Sequence, residues 1–147
     1  LYVVNTGADC ITIIDPALRK AVGVIRTGKG PGRIAVTPDG KTLVYNLQGE
    51  LSVGFADVAS GKQVGALPIG GRSLSLTTTH DGKLAFAGIQ DQDRLVLISV
   101  PERRVVRVIP TPKGAGPDPV IPLRSSPQLS PLETGPASQK LGRSPVY

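Results

Sequence analysis

One spacing governs this chain: its plan returns every 42 residues. Ile14-Asp15 comes back as Ala56-Asp57 and as Ile98-Ser99, and Pro38-Asp39-Gly40-Lys41 comes back as His80-Asp81-Gly82-Lys83. Between these anchors VGVIRTG (residues 22–28) returns as VGALPIG (64–70) and more loosely as VRVIPTP (106–112). A fixed period of this length marks a repeat architecture, in which each unit buries its apolar face only against its neighbours.

Within the first repeat, residues 2–4, 11–14, 22–25 and 34–37 are short, rich in β-branched residues and bounded by turn formers, which predicts strands. The second repeat offers 43–45, 51–55, 64–67 and 74–77, and the third 84–87, 95–98 and 105–109, with no legible fourth strand. No stretch sustains a 3.6-residue period, so no helix is predicted. The turns fit hairpins: in Pro38-Asp39-Gly40 the proline fixes φ, Asp39 can bond the backbone two residues on, and Gly40 accepts a left-handed conformation. Gly61 holds that conformation in the loop 57–62, where the matching positions carry Arg19 and Arg103, so those two turns are expected to be strained.

Composition narrows the function classes. With no Trp or Met and only five aromatic residues, the core must come from Val, Ile, Leu and Ala. The net charge of +6 divides into +4 over residues 1–112 and +2 beyond, without a basic run or interleaved aromatics, so it reads as solvated surface and no nucleic-acid partner is expected. No apolar stretch approaches the ~18 residues of a membrane span, and none resembles a signal peptide. Cys10 is the single cysteine; placed at the start of a strand with no base beside it, it reads as a structural thiol. Eight of the fourteen prolines lie from Pro112 onward, dividing a patterned body, 1–112 (repeats 1–42, 43–83 and 84–112), from a Pro/Ser/Gly-rich tail, 113–147. Such a tail cannot bury enough apolar surface to offset its ordering entropy and is expected to be disordered.

The segments LYVVN (1–5), ITIIDPALRKAVGVI (11–25) and IAVTPDGK (34–41) resemble the YVTN-type β-propeller repeat; the likeness is strong through residue 83 and fades from 84 to 112. The resemblance implies an all-β propeller of about three four-stranded antiparallel blades, an incomplete ring. It further implies that the chain enters at the second strand of a blade, so that residues 34–37 and 74–79 open the next blades beside a central channel. A parent of about seven blades is expected, this chain being a piece of it. Proteins of this kind are commonly exported, which implies a periplasmic or extracellular setting. The function implied is a non-catalytic binding scaffold. The alternative is part of a propeller-containing redox enzyme, similar to amine dehydrogenase large subunits or haem nitrite reductases, or of a sugar lactonase.

The same register would set the connectors 28–33 and 70–72, with the turns 5–9, 48–50 and 90–93, on the face where propellers usually bind ligands. Lys29, Arg33 and Arg72 there could attract a protein partner or a small anionic ligand; equally, no acceptor or aromatic platform accompanies them, and solvated cations look the same. Asp91 and Asp93 complete this candidate rim; they form a DxD loop with too few oxygen ligands, and no sharp-turn glycine, for a calcium site. The glycine-rich connector 28–33 lacks the phosphate-loop spacing and precedes a strand. His80 is the only histidine, which excludes a multi-histidine metal site within these residues, and it sits in a turn on the other face. No catalytic set, cofactor site or metal site is predicted.

Overall fold

The computed structural model describes residues 1–118 and 121–122. The expected disorder of the tail falls almost wholly outside the described residues.

The described residues form three antiparallel sheets in chain order. The first comprises β1 (Tyr2–Asn5), β2 (Cys10–Asp15) and β3 (Lys20–Arg26). The second comprises β4 (Pro31–Val36), β5 (Thr42–Leu47), β6 (Ser52–Asp57) and β7 (Lys62–Pro68). The third comprises β8 (Ser73–Thr78), β9 (Leu84–Ile89), β10 (Arg94–Ser99) and β11 (Arg104–Pro110). Each sheet is a meander, and the inner strands β4 and β8 lie closer together than the outer strands β3 and β7, so the sheets fan out as propeller blades. Blade 1 has three strands among the described residues, which correspond by the 42-residue offset to the last three strands of the sheets that follow. β4 begins three residues earlier than expected, at Pro31. That strand pairs on one side only, so a missing N–H is tolerated there.

The turns carry the devices read from the sequence. Asp39 Oδ1 accepts from Thr37 Oγ1 at 2.6 Å and from the Lys41 N–H at 3.0 Å, and Gly40 sits at φ 72°. Thr79, Asp81, Lys83 and Gly82 repeat the arrangement. Arg19 and Arg103 take φ 51° where Gly61 takes 64°, so both arginines bear the predicted strain. Ser99, which stands where the other repeats have Asp15 and Asp57, still accepts a turn amide, that of Glu102, at 3.3 Å.

Two apolar clusters fill the spaces between blades. Ile11 and Ile25 of blade 1 meet Leu43, Tyr45, Leu47 and Ala56 of blade 2. Val44, Val53 and Phe55 of blade 2 meet Ala85, Ala87, Ile89, Val96 and Ile98 of blade 3. Full burial of such side chains stabilises by about 1.5–3 kcal/mol each. Tyr45 fits because its cross-strand neighbour is Gly54: a Cβ added there would stand 2.7 Å from Tyr45 Cζ.

Candidate functional site

The turns joining the second and third strands of each blade end in a left-handed residue: Asp9 at φ 50°, Leu51 at 50° and Asp93 at 46°. The carbonyl of each accepts an N–H from the chain leaving the outer strand of the same blade: Thr27 at 3.0 Å, Ile69 at 3.0 Å and Thr111 at 2.8 Å. These turns and the inter-blade connectors are therefore fastened together on one face, as the register predicts.

Side chains complete the fastening. Asp9 Oδ1 accepts from the Gly30 N–H at 2.8 Å, and Glu50 Oε1 accepts from the Lys29 N–H at 2.8 Å. Gln63 Oε1 receives both the Gly28 N–H at 2.9 Å and the Tyr45 hydroxyl at 2.8 Å. The second connector is gripped from blade 3: Gln92 Nε2 and an Arg94 Nη both donate to the Gly70 carbonyl, at 2.7 and 3.2 Å. Burial, with the Glu50 carboxylate adding to it, pushes the Tyr45 hydroxyl well above the usual phenol range.

The five residues singled out in the sequence divide. Lys29 is exposed at the crest of the first connector. Arg33 is exposed on β4 and leans across to blade 3, its Nε donating to the Leu74 carbonyl at 3.2 Å. Arg72 is exposed and donates to Gln48 Oε1 at 3.3 Å. A depression of about 510 Å³ opens beside Arg33, lined by Val4, Thr6, Gly32, Arg33, Gln48 and Asp118 among others. Arg33 borders it directly, and Arg72 reaches it through Gln48.

Asp91 and Asp93 do not act together. Asp91 is exposed within the short 3₁₀ turn Gln90–Gln92. Asp93 turns inward: its Oδ2 accepts the Gly114 N–H at 2.6 Å and its Oδ1 the Gly116 N–H at 3.0 Å. Those amides, Gly116 first and then Gly114, hold its carboxyl below the usual range. Residues 113–118, read above as the start of the tail, thus follow the course of a third connector, and the Pro117 carbonyl lies against Gly88 of β9. Among the described residues no group of three or more His, Cys, Asp or Glu is placed to hold a metal ion. Cys10 is buried, and His80 lies exposed in the turn between β8 and β9.

On the opposite face a smaller depression of about 320 Å³ lies between the two DGK turns, lined by Asp39, Lys41, Asp81, Lys83, Val100 and Arg103 among others. Its carboxylates are committed to their own turns.

Residues that the sequence reading missed are the fasteners: Asp9, Gln48, Glu50, Gln63, Gln92 and Arg94. Their partners lie 18 to 35 residues away, where local pattern reading does not look. One signal was available, for TGKGPG (27–32) and TPKGAG (111–116) are two periods apart, as are Asp9 and Asp93.

No protein-family model matches the chain, and no curated protein matches it. Solved structures do. A hydrazine synthase from Kuenenia stuttgartiensis superposes with a TM-score of 0.75 at 23% identity, over 80% of this chain and 34% of that one. The dihydro-heme d1 dehydrogenase NirN, solved in complex with DHE, gives 0.66 at 23% identity, over 78% and 25%. A 6-phosphogluconolactonase-like protein from Bacteroides fragilis gives 0.64 at 15% identity, over 75% and 35%. The chain thus spans about a quarter to a third of the length of these structures. At these identities the likeness is one of fold: an all-β propeller arc. Among the described residues no helix is long and apolar enough to cross a membrane.

Proposed function

We propose that this chain is a non-catalytic binding scaffold, an arc of a YVTN-type propeller working in the periplasm or outside the cell. On this reading it contacts an acidic protein partner or a small anionic ligand through the face carrying Lys29, Arg33 and Arg72. One observation carries it: Asp9, Glu50 and Asp93 on that face direct their oxygens at backbone amides, while Lys29, Arg33 and Arg72 stay exposed and Arg33 lines a depression. Asp9, Glu50 and Asp93 hold the connectors together, and the exposed charge that remains, Lys29, Arg33 and Arg72 against Asp91 and Asp118, is net positive, which favours an anionic partner. The test is fluorescence anisotropy with a labelled polyglutamate peptide at low and at physiological salt. Binding that weakens with salt and is lost in the Lys29→Ala/Arg33→Ala/Arg72→Ala variant supports the reading; equal binding by the variant overturns it.

A second reading, part of a redox enzyme or a sugar lactonase, is favoured by the fold shared with the hydrazine synthase, the d1 dehydrogenase and the lactonase-like protein. A haem absorbance band in the purified parent polypeptide, or its hydrolysis of a sugar lactone, selects that reading over the scaffold.

A further inference from the structure

On the face opposite the connectors, the seam between blades 2 and 3 opens into the depression of about 320 Å³. Both of its walls belong to sheets whose four strands all lie among the described residues. One wall is the turn between β4 and β5, with Asp39 and Lys41; the other is the matching turn of blade 3, with Asp81 and Lys83. The two turns touch, for a Cβ added to Gly82 would stand 2.9 Å from Pro38 Cδ. The Val100 N–H donates to the Lys83 carbonyl at 2.9 Å, which joins the second wall to the turn carrying Pro101 and Arg103. Val100 and Pro101 thus add an apolar surface among charged side chains.

Lys41, Lys83 and Arg103 bring three exposed cations to this seam. An Nη of Arg103 donates to the Val64 carbonyl of β7 at 2.7 Å, which sets its guanidinium across the seam. The turn does not need an arginine there: Gly61 makes the same turn in blade 2, whereas Arg103 is strained at φ 51°. A side chain kept at the cost of backbone strain points to a use for that side chain. Lys83 Nζ stands 4.0 Å from Asp81 Oδ2, an exposed pair that solvent screens and that leaves the ammonium available. Asp39 and Asp81 each commit Oδ1 to their own turn, accepting a threonine hydroxyl and a lysine N–H. Those bonds, the hydroxyl first and the N–H second, hold both carboxyls below the usual range. Each is therefore charged at neutral pH, with Oδ2 facing outward as an acceptor.

We propose that this seam binds one acidic sugar unit, a hexuronate, its carboxylate held by Lys41, Lys83 and Arg103 and its hydroxyls donating to Asp39 and Asp81. The cations outnumber the carboxylates, which selects for an anion. The two aspartates repel a bare anion and accept O–H donors, which selects for an anion that also carries hydroxyls. Val100 and Pro101 give the C–H face of a sugar ring an apolar surface to rest on. The depression lies near the lower end of the roughly 300–1,000 Å³ of small-molecule sites, enough for a single ring. This site shares no residue with the Lys29, Arg33 and Arg72 face and does not depend on it.

The test is an amide NMR titration of the full chain with glucuronate, with glucose and acetate as separate probes. Glucuronate is expected to shift the Gly82, Lys83 and Arg103 amides saturably. Glucose and acetate, each lacking one set of charge-assisted bonds, are expected to bind about tenfold or more weakly. The Lys41→Gln/Lys83→Gln variant, altered only at exposed side chains, should keep the wild-type spectrum elsewhere and bind glucuronate about tenfold more weakly. Acetate binding as well as glucuronate would reveal an adventitious ion only, and glucose binding as well would show that the cations take no part; either overturns the proposal. So does unchanged binding by the variant, an absence of shifts, or shifts confined to residues 28–33 and 70–72 on the other face.

Discussion

Asp93 accepts the Gly114 N–H at 2.6 Å and so repeats, two periods later, the 2.8 Å bond between Asp9 and Gly30. In both cases a left-handed aspartate at the end of a tight turn holds a glycine of the connector leaving the same blade. The Asp93 carboxyl is held below its ordinary value by those amides, so its contribution to stability is present above the unfolded carboxylate pKa of about 3.9 and is lost as pH falls through the lower folded value. Asp93→Asn is therefore expected to melt below wild type at neutral pH, with the gap closing on acidification below about pH 4. Faster hydrogen exchange at Gly114 and Gly116 locates the loss at the connector. An unchanged exchange rate at those amides would show that the bonds do not order it.

The blades were legible in the sequence and their fastenings were not, for one physical reason. Strands announce themselves locally, through β-branched runs such as residues 11–14 and turns such as Pro38-Asp39-Gly40, and the 42-residue period multiplies each local signal. Asp9, Glu50 and Gln63 act instead on the backbone amides of Gly30, Lys29 and Gly28, which carry no side-chain signature and lie 21 to 35 residues away. The register set the connectors of Arg33 and Arg72 on one face, where Arg33 lines the depression and Arg72 donates to Gln48. The separation of Asp91 from Asp93 did not, because it depends on which way a left-handed residue turns its side chain.

Gly54 and Tyr45 form a close-packed cross-strand pair, so Gly54→Ala forces the Tyr45 ring or the β5–β6 ladder to shift. Overpacking of this kind costs about 1–3 kcal/mol. Urea denaturation should show that loss in Gly54→Ala alone. In the Tyr45→Leu background, where the ring is absent, the same substitution should cost markedly less. Additive effects of the two changes would rule out the steric account.

Arg19 and Arg103 share φ 51°, yet only Arg103 reaches another blade among the described residues. Relief of left-handed strain by glycine, offset by the entropy of the freer unfolded chain, predicts a net gain of roughly 0.5–1 kcal/mol for Arg19→Gly. Arg103→Gly gains the same relief but loses the 2.7 Å bond to the Val64 carbonyl, a charge-assisted contact of about 1.5–3 kcal/mol. It should therefore be neutral to destabilising. Chemical denaturation of the two variants side by side checks the sign; a gain in both would mean that the Arg103 contact contributes nothing.

Tyr45 makes the core of the first interface sensitive to alkali. Its hydroxyl is held neutral by burial, and by the Glu50 carboxylate, up to a pH well above the ordinary phenol value. A group whose folded pKa is raised supplies stability below the unfolded pKa, here about 10, and that stability is lost as pH climbs toward the folded value. Tyr45 should ionise only as the blades separate. Absorbance at the tyrosinate band, followed with circular dichroism above about pH 10, should then show one phenol appearing together with the loss of strand signal. Tyr45→Phe removes that alkaline transition but also withdraws one donor from Gln63 Oε1, which keeps the Gly28 N–H. The variant should thus be less stable than wild type at pH 7 by about 0.5–1.5 kcal/mol, the ordinary worth of one hydrogen bond. Toward higher pH the difference should shrink, because wild type alone has a phenol to lose. A difference that stays constant with pH would place the Tyr45 hydroxyl in contact with solvent.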